Sequence, residues 1–150
     1  MPITCLEDQL RRDEADRQFA YDDADGATLL KGATLKGNLT IGVGRNLTAK
    51  GISEVERKFL LDNDIAEATA ALEAAFPWVA DLDDVRRGAL LNMTFNEGIA
   101  HLAGFHIAMA KMQVKDFPGA AAAFLDSLWA KQVGPRASRL CVQIESGFWQ

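Results

Sequence analysis

The chain has 150 residues, of which 49% are hydrophobic, and this is enough for one compact domain with a real core. Sixteen basic and 21 acidic residues give a net charge of −5, which argues against nucleic acid as a partner and against strong attraction to anionic membranes. No stretch approaches the roughly 20 apolar residues that cross a bilayer. The first residues also lack a basic leader and an apolar segment, so we predict that the protein is kept in the cytoplasm unless another protein releases it. We also predict that it is a monomer.

The first predicted element is a helix over residues 4–14. Thr4 and Glu7 have the spacing of a capping box, and Leu6 and Leu10 lie one turn apart on its expected inner face.

Two acids, Asp13 and Glu14, close this helix. Helical phase does not separate them, because both follow Leu10 by three or four residues. A carboxylate at a helix C-terminus opposes the helix dipole, which indicates that it is kept there for another reason. Either acid is therefore a candidate functional group at this stage.

Residues 15–52 are predicted to form a small β-lobe, because glycines recur there among β-forming residues. Strand alternation puts Asp23 on the same side as Tyr21 and Phe19, with Asp22 on the other side. The acidic run from Asp22 to Gly26 is also typical of an ordinary turn. It resembles the start of a calcium loop, but no bidentate glutamate follows at the right distance.

A further strand is predicted around Thr40. Leu39, Ile41 and Val43 alternate there with Thr40, Gly42 and Gly44, so one face is apolar and the other is nearly bare. A bare strand face lets a bulky polymer lie against the backbone, and a hydroxyl that projects from it can hold a water.

The remaining chain is predicted to be helical. Ser53 and Glu56 form a second capping box for a connecting helix over 54–75, which ends at Phe76-Pro77. Its expected apolar stripe comprises Val55, Phe59, Ala66 and Leu72. A helical bundle over about 78–150 follows, with helices capped at Asp83 or Asp84, over Ile99–Ala103, Phe105–Met112 and Gly119–Lys131, and from Pro135 to near Gly147.

Two carboxylates across a groove are the chemical minimum for cleaving a glycosidic bond. The order and spacing of the segments D-E-A-D-R-Q-F-A-Y-D-D and N-L-T-I-G-V-G-R resemble those of the phage-type lysozymes. The resemblance continues in N-M-T-F-N-E-G, in L-A-G-F and in the C-terminal tryptophan, glutamine and arginine pattern, so it covers most of the chain.

The resemblance implies an α+β, mostly α, single domain with two lobes, in which the helix over residues 4–14 joins the C-terminal helical lobe. It also implies a muramidase that hydrolyses the β-1,4 bond between N-acetylmuramic acid and N-acetylglucosamine in peptidoglycan, by inversion and without a cofactor. In the family pattern the acid precedes a tyrosine by seven positions, which selects Glu14 as general acid because Tyr21 follows. Asp23 and Thr40 are then expected to position the attacking water.

Four further residues receive roles from the resemblance alone. Asn46, Phe95 and Asn96 are expected to bind the sugars, and Arg136 is expected to approach Glu14 and support it. Plain core packing is the alternative for Phe95, and a helix C-cap is the alternative for Asn96.

The chain departs from the family pattern at four places: Ala15 replaces a glycine, Arg45 a histidine and Leu128 an arginine, and the segment 27–38 is longer than usual. A lytic transglycosylase and a non-catalytic peptidoglycan-binding domain therefore stay open as alternatives. A nucleotide-binding module is disfavoured, because the glycines do not follow a P-loop pattern. The histidines and the cysteines, Cys5 and Cys141, fit no metal motif, and free thiols are the favoured interpretation.

Overall fold

The computed structural model describes residues 5–14 and 16–150. The described chain is mostly helical, with a small three-stranded antiparallel sheet near the N-terminus, which confirms the predicted fold class. Two compact units divide the chain, an N-terminal unit of residues 1–58 and a C-terminal unit of residues 59–150. The assignment of the first helix to the helical lobe stays a prediction.

Helix α1 spans Leu6–Asp13, and the predicted capping residue Thr4 lies outside the described residues. The expectation that Leu6 and Leu10 form a buried inner face is wrong, because α1 contains no buried residue and these side chains are 67% and 43% exposed. Residue spacing determines which side chains share a helix face. It does not determine whether another element covers that face.

The sheet lies in the N-terminal unit and has the strand order β1-β2-β3, with β1 at Arg17–Asp22, β2 at Leu39–Gly42 and β3 at Arg45–Asn46. Strand β2 is central and pairs antiparallel with both neighbours. It ends at Gly42, two residues earlier than the predicted alternation, because Gly42 and Gly44 both adopt positive φ angles near +60° and turn the chain into β3.

Helix α2 spans Leu47–Lys50, and helix α3 spans Glu54–Ala75, the bounds that the sequence predicts. The capping box that starts α3 is confirmed: the Ser53 N–H donates to Glu56 Oε2 at 2.6 Å, and the Glu56 N–H donates to Ser53 Oγ at 3.3 Å. The predicted apolar stripe is mostly wrong, since Leu72 is the buried residue of α3 while Val55 and Phe59 are exposed.

The C-terminal unit is helical. After a 3-10 turn at Pro77–Asp81 it contains α4 (Asp84–Glu97), α5 (Ile99–Ala103), α6 (His106–Gln113), α7 (Phe117–Leu125), α8 (Leu128–Val133) and α9 (Pro135–Ser146). The single helix predicted over Gly119–Lys131 is in fact two, because Ser127 interrupts it. The Ser127 hydroxyl donates to the Phe124 carbonyl at 2.6 Å and accepts from the Ala130 N–H, so it caps α8.

The hydrophobic core of this unit is built on large side chains that are almost fully buried. Phe124 and Trp129 lie edge to face with ring centroids 6.4 Å apart, and Phe105 packs against both rings. Leucines, methionines and small residues from α4, α6 and α9 fill the space around them. Within residues 5–14 and 16–150, no helix has both the length and the apolar character needed to cross a membrane.

Candidate functional site

Glu14 is the first residue after α1, and its backbone N–H donates to the Leu10 carbonyl at 2.8 Å. Its side chain lies against the turn between β2 and β3. A Cβ built on Gly44 would come within 2.9 Å of Glu14 Oε2 and 3.3 Å of Glu14 Cβ. Gly44 therefore gives this carboxylate the space to lie on the backbone of the turn.

The neighbouring acid, Asp13, has a different environment. Its carboxylate accepts a hydrogen bond of 2.6 Å from Arg12 Nε, and this bond lowers the pKa of Asp13 below its usual value. The two acids that helical phase leaves equivalent are thus separated in space: Asp13 pairs with an arginine on its own helix, while Glu14 lies against the sheet.

Asp23 lies one residue after β1, at the start of the loop that joins β1 to β2. The pairing of β1 with β2 shifts between Arg17 and Tyr21, so the regular alternation predicted from Phe19 to Tyr21 is interrupted, while the placement of Asp23 on the side of Tyr21 stays a prediction. Phe19 is 67% exposed, whereas Tyr21 is 8% exposed. Asp23 itself is exposed, so its carboxylate is accessible to solvent.

Asn38, which the sequence analysis did not select, holds the Asp23 carboxylate. The Asn38 backbone N–H donates to Asp23 Oδ1 at 2.6 Å, and Asn38 Nδ2 donates to Asp23 Oδ2 at 2.9 Å. No sequence signal identifies this pair, because the two residues lie fifteen positions apart at opposite ends of the loop.

Asp22, the second residue missed as a functional candidate, is buried at the end of β1 with 2% of its surface exposed. It accepts backbone N–H groups from Ala24, Lys36 and Gly37 at 3.0, 2.6 and 2.9 Å. These hydrogen bonds, the one from Lys36 foremost, lower the pKa of Asp22. An aspartate at a strand end before a glycine-containing loop is the local signal for such a role.

Thr40 lies on β2 and is paired with Tyr21 of β1 and Asn46 of β3. The expectation that its hydroxyl projects from a bare face is wrong, since Thr40 is 3% exposed between two strands. Its Oγ1 donates to the Asn38 carbonyl at 3.3 Å, and that carbonyl also accepts the Asp23 N–H at 3.2 Å. Asn38 therefore connects Thr40 to Asp23.

Arg45, which stands where the family pattern has a histidine, is the first residue of β3 and directly follows Gly44. Arg45 Nη1 and Nη2 each donate to one oxygen of Glu56 at 3.0 Å, and Nε and Nη2 donate to the Gly51 carbonyl. Such a bidentate pair fixes geometry better than a single ion pair. Arg45 thus connects β3 to the start of α3.

Asn46 ends β3 and caps α2, because its Oδ1 accepts the Ala49 N–H at 2.8 Å. Its Nδ2 group remains a possible donor to a ligand. In this position the side chain has a structural role that the sequence analysis did not assign.

In the C-terminal unit, Phe95 and Asn96 lie in the last turns of α4, and both are exposed. Plain core packing does not describe Phe95, whose side chain is 48% exposed. The C-cap of α4 is Gly98, whose N–H donates to the Thr94 carbonyl, so the alternative of a capping role for Asn96 is also wrong.

Arg136 lies in the first turn of α9 and binds Asn92 of α4. Its Nε and Nη2 donate to Asn92 Oδ1 at 3.0 and 2.7 Å. Both residues, with Phe95 and Trp149, line a largely apolar cavity of about 380 Å³. Since Glu14 belongs to the other unit, the support of Glu14 by Arg136 stays a prediction.

The other titratable side chains considered as metal ligands are a histidine and the two cysteines. His101 Nδ1 lies 3.0 Å from Glu97 Oε2 on the surface of the C-terminal unit. Cys5 and Cys141 are both free, as favoured from the sequence, and burial raises the pKa of the Cys141 thiol to about 11. Among the described residues, no three histidine, cysteine or acidic side chains come together as a metal-binding set.

Comparison with known proteins finds a family model and relatives that match most of the chain. A family model described as phage lysozyme matches residues 13–142. The chain is 26% identical to a probable T4-type lysozyme 1 of Dictyostelium discoideum, with 97% of this chain and 96% of that protein covered. It is 30% identical to the pre-baseplate central spike protein Gp5 of Enterobacteria phage T4, where 97% of this chain matches 28% of the larger protein. The matched region begins at the end of α1 and includes Glu14, Asp23 and Thr40.

Proposed function

Because the chain belongs to the phage lysozyme family, we propose that it is a muramidase that hydrolyses the β-1,4 bond between N-acetylmuramic acid and N-acetylglucosamine. The family itself supports a peptidoglycan hydrolase of the lysozyme type. One observation carries the finer assignment. The hydroxyl of Thr40 and the carboxylate of Asp23 are both tied to Asn38, in the same compact unit in which Glu14 lies against Gly44.

In the proposed reaction Glu14 donates its proton to the departing glycosidic oxygen as the bond from that oxygen to the anomeric carbon breaks. Asp23 holds a water on the opposite face of the sugar and accepts its proton while the water oxygen bonds to the anomeric carbon. This arrangement inverts the anomeric configuration, as in enzymes whose two carboxyl groups lie roughly 6.5–9.5 Å apart. No cofactor takes part.

Thr40 supports this step from inside the sheet. Because Thr40 is buried, its hydroxyl acts on the Asn38 carbonyl, and Asn38 in turn holds Asp23. Thr40 therefore contributes to the position of the water through this chain of hydrogen bonds.

The substrate-binding residues are proposed on chemical grounds. The exposed ring of Phe95 offers a flat apolar surface for the face of a sugar, and the exposed amide of Asn96 offers a donor and an acceptor for N-acetyl groups. Asn46 has Oδ1 committed to α2 but retains its Nδ2 donors. We therefore propose that these three side chains bind the glycan strands of peptidoglycan.

Product analysis on purified peptidoglycan tests the proposal. We expect reducing N-acetylmuramic acid ends with the mass of one added water per cleavage. An anhydro-sugar end at that position would instead identify a lytic transglycosylase. Sedimentation with the wall and no release of reducing ends would identify a non-catalytic binding domain.

The contact between Gly44 and Glu14 leads to a test with a matched control. Gly44 and Gly42 have φ angles of +63° and +62°, so alanine strains the backbone similarly at both positions. A Cβ at Gly44 comes within 2.9 Å of Glu14 Oε2, whereas a Cβ at Gly42 meets no atom within 4 Å. We therefore expect Gly44→Ala to lower kcat by about 100-fold, since a small misplacement of a reacting group has this effect, and Gly42→Ala to lower it by less than about three-fold.

Initial rates of reducing-end release and thermal unfolding of both variants provide the measurement. If both alanine variants lose stability and kcat to the same extent, the contact between a side chain at residue 44 and Glu14 does not explain the loss of activity.

A further inference from the structure

The loop that joins β1 to β2, residues 23–38, begins with Asp23 and ends with Asn38, and these residues bind each other through main chain and side chain. The Asn38 N–H and Nδ2 groups donate to separate oxygens of Asp23, and the Asp23 N–H donates to the Asn38 carbonyl. A carboxylate offers about four lone-pair sites, so two acceptor sites remain for water. Asn38 thus orients the carboxylate and leaves it able to accept a proton.

Asp22 fixes the backbone on which this pair is built. Its carboxylate is buried at the strand end and accepts N–H groups from Ala24, next to Asp23, and from Lys36 and Gly37, next to Asn38. One side chain therefore holds both ends of the loop together. Its lowered pKa has the same origin, because all three hydrogen bonds favour the charged form.

The packing at Gly37 shows how close the two ends of the loop come. A Cβ at this position would overlap Asp23 Oδ1 and would lie 2.9 Å from both the Cβ and the backbone nitrogen of Ala24. The absence of a side chain at residue 37 is therefore required for the approach of Asn38 to Asp23.

We propose that Asp22 and Asn38 are positioning residues for Asp23, with Asp22 setting the backbone of the loop ends and Asn38 aiming the carboxylate at the attacking water. The inference rests on the proposed function, in which Asp23 accepts a proton from that water. Neither residue touches the glycan in this scheme. Their loss is expected to reduce kcat and to leave KM nearly unchanged, because it affects an interaction that matters in the transition state.

Asn38→Ala is the milder test, because it removes the Nδ2 donor and keeps the backbone N–H. We expect kcat to fall by roughly 10-fold with KM within about two-fold of wild type. A residue that only stabilises the fold would change the fraction of folded protein and leave kcat per folded molecule unchanged, so thermal unfolding is measured beside kcat and KM.

Asp22→Asn is the stronger test. The amide retains one oxygen but presents an NH₂ group where the carboxylate accepts an N–H, so at least one of the three bonds is lost. We expect kcat to fall by about 100-fold with KM again within about two-fold of wild type.

Asp25→Asn is the matched control, since it removes the same charge from a residue three positions after Asp22. Asp25 is exposed, and its carboxylate accepts hydrogen bonds from Lys36 Nζ at 2.8 Å and from the Ala27 N–H at 2.9 Å. Neither of these bonds involves Asp23. Exposed ion pairs contribute little, so we expect its kcat within about two-fold of wild type.

Asp23→Asn distinguishes a failure of the positioning inference from a failure of the proposed function. When Asp23→Asn is inactive but Asp22→Asn and Asn38→Ala both behave like Asp25→Asn, the positioning inference is overturned and the proposed function stands. Full activity of Asp23→Asn overturns both. If Asp22→Asn shows no cooperative unfolding transition, Asn38→Ala decides, and an unchanged kcat of that variant then rejects the inference.

Discussion

Replacing Glu14 with glutamine is expected to reduce peptidoglycan hydrolysis by at least about 1000-fold, within the range that general acid catalysis contributes. Glutamine has nearly the same shape as glutamate but has no acidic proton for the departing glycosidic oxygen. The side chain lies at the surface against Gly44, so the substitution removes no buried interaction. The melting temperature should therefore stay close to that of the wild type, and reducing-end release measures the loss.

Asp13→Asn is the control for this substitution, because Asp13 is the adjacent carboxylate and is bound to Arg12. We expect it to retain most of the wild-type rate. The assignment of the acid is refuted by the reverse pattern, an active Glu14→Gln protein beside an inactive Asp13→Asn protein.

Replacing Phe124 with alanine is expected to destabilise the protein by about 3–5 kcal/mol, the usual cost of removing a buried phenylalanine. Phe124 is fully buried, and its ring packs against those of Phe105 and Trp129 with centroids 5.5 and 6.4 Å away. For a chain of this length the loss corresponds to a fall in melting temperature of roughly 6–20 °C.

Leu125→Ala provides the comparison on the same helix, since Leu125 is the next residue and is 46% exposed. Its free energy of unfolding should change by less than about 1 kcal/mol, as for most surface positions. Calorimetry or denaturant unfolding measures both variants. Equal destabilisation by the two substitutions would show that α7 does not present Phe124 to the core.

The secondary structure that local chemistry specifies was predictable from the sequence. The capping box of Ser53 and Glu56 and the stop at Phe76-Pro77 locate both ends of α3. Pro135 likewise marks the start of α9. These signals act between residues at most four positions apart, so they can be recognised from the sequence alone.

Burial was predicted less well, because a periodic pattern does not identify what covers a face. Leu10, Val55 and Phe59 occupy the apolar positions of their helices and are nevertheless exposed. Thr40 shows the opposite case: a polar residue expected on an open face is buried in the sheet, since two strands flank it.

The sequence by itself determined the fold class, the family and the order in which Glu14, Asp23 and Thr40 occur along the chain. Only the tertiary structure decided the surroundings of these residues: the approach of Glu14 to Gly44, the hold of Asn38 on Asp23 and the burial of Asp22. The physical reason is distance along the chain. The hydrogen bonds around Asp22 and Asp23 join residues up to fifteen positions apart, and their partners are selected by the register of the sheet and the path of the loop.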